Sequence, residues 1–402
     1  MKAEGTLTTL RKWIGNILFS VYVLVIMVDP TNALFHLKEI VFALFIAFNM
    51  VAYKPNLHYL VPILAVYAVL ILTATLSQMQ MAPVSETDLI YTFKSFLPLI
   101  LLLWVEHYNV IRLSYIPAVI VAFLYAILYV LVNLYPDIEA IVYQFSSSHD
   151  DILMMSHRYF YGIPVFAVYM RSTACFTIIL FSFYYAFFHH IGNRIFMFIA
   201  SALVTLIFFG TGSRATMLLP ICLLVFVFYN KVKESHTAKY FLYPIIGLLG
   251  MLFIIFVAFL AMEKGESSNV IKYAHLTSYA QLFTDHPLYM LIGEGPGSKF
   301  YSIGYHRYTA LTEWTYFELL RNYGIFAIVP LGVVLYPLGT FFRHRKDNYT
   351  FGIMGAYISY LLVAGTNPLL FSSTGMLVLW SAYSYRYFIL EKEQTTRVCQ
   401  KE

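Results

Sequence analysis

Apolar runs of about 20 residues recur along the whole chain, and they constrain the fold more than any other feature. A helix of that length crosses a hydrocarbon layer of ~30 Å. Lipid accepts only helices or closed barrels, and barrel strands would alternate apolar and polar residues. With 60% hydrophobic residues, 12% charged residues and a mean hydropathy of +0.71, the sequence predicts an all-α, polytopic membrane protein, with residues 1–402 in a single integral domain.

The predicted membrane spans number about twelve, and the charges beside them predict an orientation. The predicted spans are 14–28, 37–53, 57–77, 89–105, 113–134, 171–189, 195–210, 214–230, 240–262, 323–342, 350–366 and 370–388. If the N-terminus is cytoplasmic, Lys and Arg collect in the inner connections and in both tails, as the positive-inside rule requires. Arg11 and Lys12 precede the first run, and no small-residue cleavage site follows it, so we expect a retained first helix.

Two predicted outer segments, 135–170 and 263–322, are longer than a connection needs to be, and long loops in compact proteins often carry function. The second lies between spans 9 and 10 and is dense in aromatic residues from Tyr273 to Phe317. This density predicts a small cap of packed short helices. The same rings would also suit stacking on sugars or resting on lipid headgroups.

The placement of charge separates this chain from ion-coupled transporters. Such proteins keep acids near the midplane, and the predicted spans are nearly free of Asp and Glu. Cations lie instead at the outer ends of inward-running helices, at Lys94, Arg171, Arg214 and Arg321. A cation at a helix N-terminus opposes the helix dipole, and that terminus favours anions such as phosphate. These positions predict an anionic ligand; snorkelling interfacial cations are the alternative, above all for Lys94 and Arg171.

GTGSRA, residues 210–215, is the clearest pattern for an anion site, and it lies between two spans with almost no loop. Gly210 and Gly212 permit a tight turn and a close backbone approach, and Ser213 can cap the next helix. The pattern predicts a helix N-terminus that carries the Arg214 guanidinium near the bilayer surface. Guanidinium groups pair with phosphate in a bidentate manner, so a lipid-linked diphosphate would fit this position.

The order of three motifs resembles the O-antigen polymerase and O-antigen ligase superfamily. GTGSRA is followed in the large outer loop by LYMLIGEGPGSKF (288–300) and then by TEWTYFELLRNYGI (312–325), which leads into the next span. The resemblance implies a GT-C-like helical fold and a metal-independent, inverting glycosyltransferase. It also implies a glycan on undecaprenyl diphosphate as donor, an active site on the periplasmic face of the bacterial inner membrane, and a chain-length regulator acting in the same pathway.

The resemblance also implies the catalytic base. Ligases of the superfamily carry a histidine about eleven residues before the glycine of a Gly-Ile pair, and polymerases often carry a glutamate there. In this chain, counting back from Gly324, the position holds Glu313. This favours a polymerase in which Glu313 accepts the proton of a sugar hydroxyl. His306, which lies upstream, is the alternative base.

The remaining candidates could hold the donor, because positive charge must meet the negative charge that develops on the leaving group. Besides Arg214, these cations are Lys94, Arg158, Arg171, Arg307 and Arg321. On a helix predicted to start near Thr312, Glu313 and Tyr316 share a face and could line a cavity. Glu318 and Arg321 are spaced i, i+3 and could instead simply pair with each other.

Three other functions fit parts of the pattern. A ligase would use the same donor with lipid A–core as acceptor. A flippase for the lipid-linked oligosaccharide would have two similar halves and short loops, unlike this chain. A glycosyltransferase of another GT-C type would place its acid just after the first span, where Asp29 lies, although Asp-Pro is also an ordinary turn. The sequence contains no DxD motif and no His/Cys cluster, so we expect no metal and no other cofactor, and nothing predicts a nucleic-acid partner.

Overall fold

The computed structural model describes residues 2–79, 84–150, 152–160, 163–234 and 267–399. Within these ranges the side chains of residues 2–7, 158–160, 163–165, 214, 230–234, 267–268 and 393–399 are not described. The predicted span 240–262 lies outside the described residues, as does the beginning of the predicted outer segment 263–322. The described part of the chain is mostly helical.

The described helices are numbered α1 to α16 in chain order. Their bounds are α1 Lys2–Val28, α2 Leu37–Ala52, α3 Leu60–Met79, α4 Glu86–Phe96, α5 Val110–Leu113, α6 Tyr115–Leu134, α7 Pro136–Ser148, α8 Thr177–Phe188, α9 Arg194–Gly210, α10 Arg214–Glu234, α11 Ser267–Asp285, α12 Tyr289–Ile292, α13 Thr315–Tyr323, α14 Ile328–Arg343, α15 Asn348–Gly365 and α16 Ser373–Cys399. Short 3₁₀ segments lie at Leu57–Tyr59, Leu97–His107, Arg171–Phe176 and Gly324–Ala327. Side-chain caps start several helices: the side-chain oxygen of Asn193 accepts the N–H groups of Ile195 and Phe196 in α9, and the Asp347 carboxylate accepts the N–H of Thr350 in α15.

Six described helical stretches are long and apolar enough to cross a membrane. They are Thr8–Val28, Leu57–Met79, Glu86–His107, Val110–Leu134, Arg171–Phe188 and Thr315–Arg343, and two shorter apolar helices are Arg194–Gly210 and Ala215–Tyr229. The described helices thus have the length and composition that membrane spans need, in agreement with the expected membrane character, while the count of about twelve spans stays a prediction. The last of the six begins at Thr315, earlier than the predicted start at residue 323, because α13, a 3₁₀ segment and α14 follow one another without a break.

Several connections between helices gather at one end of the bundle. We call residues 267–314 the cap segment. The N–H of Ser85, which precedes α4, donates to the carbonyl of Gly297 in the cap segment at 2.9 Å. The hydroxyl of Thr315, directly after the cap segment, donates to the carbonyl of Asn367 at 2.6 Å. The turns before α4 and after α15 therefore lie against the cap segment.

Other connections between helices lie at the opposite end of the bundle. The Asn56 amide donates to Glu106 at 2.6 Å, and the Ser384 hydroxyl donates to the carbonyl of Tyr108 at 2.6 Å. The Arg386 guanidinium in α16 donates to the hydroxyl of Tyr59 at 3.2 Å. Connections thus alternate between the two ends, as expected for helices that cross a layer in turn.

Two β-hairpins correct the expectation of a purely helical chain. Strands β1 (Leu153–Phe160) and β2 (Ile163–Met170) pair antiparallel inside the predicted outer segment 135–170, and β3 (Phe300–Ser302) pairs with β4 (Arg307–Thr309) inside the cap segment. Both occur where the chain leaves the bundle and its backbone groups need partners other than helical ones. Helix α7 fills the rest of the first outer segment.

The core is built largely from aromatic rings. Phe19 and Tyr22 of α1 lie 6.3 and 5.8 Å from the Trp380 ring of α16, so the first and last helices pack together. Phe19 also stacks on Tyr108 at 5.4 Å, and the Tyr108 hydroxyl donates to the buried Asn49 side chain at 2.7 Å. The buried Tyr108 hydroxyl is thus satisfied by an internal acceptor, as a membrane interior favours.

Candidate functional site

Arg321 of α13 joins the two motifs of the outer loop. Its side chain is 0% exposed and donates to the Glu294 carboxylate at 2.6 Å and to the Glu318 carboxylate at 2.7 and 3.0 Å. Its remaining donors meet the Ser298 hydroxyl at 2.8 Å and the Ala310 carbonyl at 2.7 Å. The guanidinium is therefore saturated by side chains and carbonyls from both motifs.

The saturation of Arg321 bears on its predicted role. The expected i, i+3 pair with Glu318 is present, but Glu294, 27 residues away, is a second partner that the sequence did not indicate. No donor of Arg321 is left for a diphosphate in this arrangement, so the side chain acts as an internal clamp. Burying a charge is tolerable only when it is paired and hydrogen-bonded, which is the case here.

Glycines allow the two motifs to approach this closely. Gly293 has a φ of +78°, and a Cβ there would meet the Asn322 backbone. Gly324 has a φ of +53°, and a Cβ there would meet the Leu291 backbone. Both residues adopt left-handed backbone conformations that other residues rarely take, and both leave room for the neighbouring chain. Gly293 and Gly324 therefore serve packing between the two motifs, whereas Gly295 and Gly297 lie against Ser77 and Leu89.

Glu313 lies at a bend in the irregular stretch before α13. The helix begins at Thr315, so the expectation that Glu313 and Tyr316 share a helical face is wrong. The Thr312 hydroxyl accepts a hydrogen bond from the N–H of Trp314, and this contact stabilises the turn before the helix. The Glu313 carboxylate meets Lys272 Nζ of α11 at 3.4 Å, and its side chain is 32% exposed. Glu313 is thus the accessible carboxylate of the two motifs, whereas Glu318 is held inside.

Helix α11 supports the stretch that carries Glu313. The Trp314 indole N–H donates to the carbonyl of Lys272 at 3.1 Å. The Tyr279 hydroxyl donates to Glu318 at 2.6 Å and lies 2.6 Å from the Thr312 hydroxyl. Lys272 and Tyr279 are spaced i, i+7, so one face of α11 holds residues 312–314 at both ends.

The pKa values of Tyr305 and Tyr169 are affected by Glu313 and by cations near these tyrosines. Burial raises the pKa of the Tyr305 phenol, Glu313 raises it further, and Arg307 and Arg171 lower it. Burial likewise raises the pKa of Tyr169, with Arg171 lowering it and Glu313 raising it. Glu313 and Arg171 therefore both act on Tyr169 and Tyr305, and Arg307 acts on Tyr305, so the three charges surround this pair of phenols although they are far apart in sequence.

Arg307 and His306 lie on the outer surface of this neighbourhood. The Arg307 guanidinium is exposed and sits 5.6 Å from the centre of the Tyr305 ring. His306 has a φ of +51° and lines an open, mainly apolar pocket with residues of α11 and the β3–β4 turn. The structure therefore places Arg307 beside the Tyr305 ring and His306 at the pocket lined by α11.

His275 of α11 is a candidate that the sequence analysis missed. Its side chain is 0% exposed, Nδ1 lies 2.9 Å from the Ser302 hydroxyl, and Nε2 has no hydrogen-bond partner among the described residues. Burial lowers the pKa of this imidazole, and Glu313 and Glu318 oppose the lowering. The i, i+3, i+7 spacing of Lys272, His275 and Tyr279 was the available signal, since these positions share one helical face.

The predicted GTGSRA turn is formed. Gly212 has a φ of +62°, and Gly210 lies directly against the Tyr125 ring, where a Cβ would clash. The Tyr125 hydroxyl donates to the carbonyl of Val168 in β2 at 2.8 Å, so the turn lies close to the strand that leads to Arg171. The backbone of Arg214 starts α10 at this place, and its side chain lies outside the described atoms.

The other predicted site residues lie apart from Glu313 or have other partners. Lys94 is exposed and pairs with Glu39 of α2 at 3.3 Å. The Tyr316 hydroxyl donates to the carbonyl of Leu361 in α15 at 2.8 Å, which fixes its ring against that helix. Arg158 lies in β1 opposite Val165, and its side chain is likewise outside the described atoms.

Asp29, the acid of the alternative GT-C hypothesis, has a structural role. Its carboxylate is 1% exposed and accepts the N–H groups of Ala33, Leu34 and Phe35 at 2.9–3.0 Å. Both oxygens are thus engaged in shaping the turn after α1. A carboxylate buried and occupied in this way is not placed to accept a proton from a substrate.

Within the described ranges, no group of three or more His, Cys, Asp or Glu side chains is placed to hold a metal ion. The described site presents the partly exposed Glu313 carboxylate with the Lys272 ammonium 3.4 Å away. Comparison with protein-family models, curated proteins and solved structures finds no significant match. The functional assignment accordingly depends on the residues and their geometry.

Proposed function

We propose that the chain is an O-antigen polymerase, an inverting and metal-independent glycosyltransferase that joins lipid-linked repeat units. The observation that carries the proposal is that the carboxylates of the two loop motifs differ in burial and in their partners. Glu294 and Glu318 are buried on Arg321, whereas Glu313 is about a third exposed and lies in the electrostatic neighbourhood of Arg171 and Arg307. An accessible base beside cations is what the reaction requires.

In the proposed reaction, Glu313 accepts the proton of a sugar hydroxyl on the incoming repeat unit. The hydroxyl oxygen attacks the anomeric carbon of the growing chain from the face opposite the diphosphate. The bond between that carbon and the diphosphate oxygen breaks, and the lipid diphosphate leaves with the bonding electrons. Arg171 and Arg307, with Arg214 and Arg158 as further candidates, would stabilise the negative charge that develops on the leaving group.

The proposal places the protein in the bacterial inner membrane, with the cap segment on the periplasmic face and both termini in the cytoplasm. Lipid-linked oligosaccharides would then reach the site from the outer leaflet. A flippase of the same pathway would deliver them, and a chain-length regulator would act on the product. The gathering of the cap segment, Arg171 and the GTGSRA turn at one end of the helices supports this arrangement.

The test is glycan laddering in a strain that lacks the native gene. The strain is complemented with wild type, Glu313→Gln, His306→Ala or Asp88→Asn at matched membrane levels. Asp88→Asn is the control, since Asp88 forms a comparable ion pair with Lys299 at 3.4 Å. We expect wild type, His306→Ala and Asp88→Asn to restore the ladder. Glu313→Gln should leave core with a single repeat unit, because loss of a general base costs about 10²–10⁴-fold in rate.

Two outcomes would overturn the proposal in different ways. A normal ladder with Glu313→Gln would remove Glu313 as the base, and loss of the ladder with His306→Ala would then assign that role to His306. A null strain with bare core and free lipid-linked polymer would identify a ligase instead of a polymerase.

A further inference from the structure

The pair between Lys272 and Glu313 has the geometry of an exchangeable contact. Lys272 Nζ lies 3.4 Å from Glu313 Oε2, and the two side chains are 27% and 32% exposed. Charge-assisted hydrogen bonds are usually about 2.7–2.9 Å long, and exposed pairs contribute little to stability. This contact is therefore longer and more accessible than the contacts of Arg321 with Glu294 and Glu318.

The backbone around Glu313 does not depend on the Lys272 ammonium. The Trp314 indole bonds to the main-chain carbonyl of Lys272, and the N–H of Thr312 donates to Glu318 at 2.9 Å. The Thr315 hydroxyl bonds to the carbonyl of Asn367 on the other side. These contacts persist when the Lys272 side chain moves, so Glu313 keeps its place while the ammonium changes partner.

A diphosphate is a stronger partner for Lys272 than a single carboxylate. It carries at least two negative charges and several acceptor oxygens, and it would enter a neighbourhood that already contains Arg171 and Arg307. Attraction between opposite charges grows with the charge on each partner. The arriving ligand can therefore draw the ammonium away from Glu313.

We infer that Lys272 is a positioning residue that holds the Glu313 carboxylate until a diphosphate-bearing ligand arrives and then transfers its ion pair to the phosphate. This inference rests on the proposed function and adds an order of events to it. Donor binding removes the counter-ion of the base, so Glu313 becomes free to accept a proton when the leaving group is in place. The exchange makes and breaks ion pairs only.

The test measures the affinity of purified full-length protein for inorganic diphosphate by calorimetric titration. The variants are Lys272→Met, Lys272→Arg, Glu313→Gln and the double variant Lys272→Met/Glu313→Gln. Lys299→Met is the matched control, because Lys299 pairs with Asp88 at the same 3.4 Å on the same segment. We expect Lys272→Met to weaken binding about tenfold, and Lys272→Arg and Lys299→Met to stay within about threefold of wild type.

Glu313→Gln gives the sharper result. It should tighten diphosphate binding severalfold in the wild-type background, since it frees Lys272, and should have no effect in the Lys272→Met background. Equal tightening in both backgrounds would mean that Glu313 repels the ligand directly, and it would overturn the exchange. Unchanged binding by Lys272→Met would overturn it as well.

Failure of this inference is distinguishable from failure of the polymerase proposal. Additive effects on binding, together with a glycan ladder that requires Glu313, would leave the polymerase standing and remove the exchange. Non-additive effects on binding, together with a null strain that shows bare core and free lipid-linked polymer, would support the exchange and remove the polymerase.

Discussion

The carboxylates of the outer-loop motifs occupy two contrasting environments. Glu294 and Glu318 face a fully buried guanidinium at 2.6–2.7 Å, whereas Glu313 faces a partly exposed ammonium at 3.4 Å. Breaking a buried pair strands a charge away from water, but an exposed carboxylate that loses its partner is simply hydrated. The contrast teaches that one short stretch of sequence can combine a rigid clamp with a chemically available group a few residues away.

Removing Arg321 should give the largest effect and tests the clamp directly. Arg321→Met would leave Glu294 and Glu318 buried without their cation, at an expected cost of about 3–5 kcal/mol of stability. The melting temperature of the purified protein in detergent should fall strongly. Arg307→Gln, at an exposed position, should change stability by about 0.5 kcal/mol or less. Similar melting temperatures for the two variants would erase the contrast between buried and exposed charge.

Neutralising Glu313 and Glu318 in turn compares the exposed and the buried carboxylate near the start of α13. Glu318→Gln should cost about 1.5–3 kcal/mol, because Glu318 accepts charge-assisted bonds from Arg321, Tyr279 and Thr312. Glu313→Gln should leave the melting temperature nearly unchanged while glycan laddering is lost. The measurement is parallel melting and laddering of both variants. A Glu313→Gln protein that is destabilised as much as Glu318→Gln would assign Glu313 to the clamp.

His275 should give a smaller effect that depends on pH. Its folded-state pKa lies below the ordinary value of 6.5, so the unfolded chain binds more protons in this range. The neutral His275 imidazole therefore contributes fully to the free energy of unfolding above about pH 6.5. This contribution is lost as the pH falls below that value, because protonation of His275 favours the unfolded chain. Melting of wild type and His275→Gln at about pH 8 and about pH 5.5 should show a smaller acid loss in the variant. Equal acid losses would contradict the buried neutral imidazole.

Lys94 should give the smallest effect. Its pair with Glu39 is exposed on both sides and contributes about 0–1 kcal/mol. Lys94→Met should therefore leave both the melting temperature and the glycan ladder close to wild type. A lost ladder in a stable Lys94→Met protein would return Lys94 to the donor site, where the sequence analysis placed it.

Much of the bundle could be predicted from the sequence, because the cost of exposing polar backbone to lipid permits few structures. The predicted spans 57–77, 113–134 and 171–189 agree closely with the apolar stretches Leu57–Met79, Val110–Leu134 and Arg171–Phe188. The hairpin of β1 and β2 was not predicted, since short strands in an outer segment have no lipid constraint to reveal them. The same reasoning explains the error at the start of α13, where side-chain contacts with α11 hold residues 312–314 outside the helix.

By itself the sequence determined the membrane class, the tight turn at GTGSRA and the local pair of Glu318 with Arg321. These follow from composition, from glycine's access to positive φ and from i, i+3 spacing, all of which act over a few residues. Only the tertiary structure decided that Glu294 completes the Arg321 clamp, that Lys272 holds Glu313 and that Arg171 acts near them. The reason is that electrostatic partnership depends on distance in space, and these partners belong to segments far apart along the chain that meet only when the chain packs.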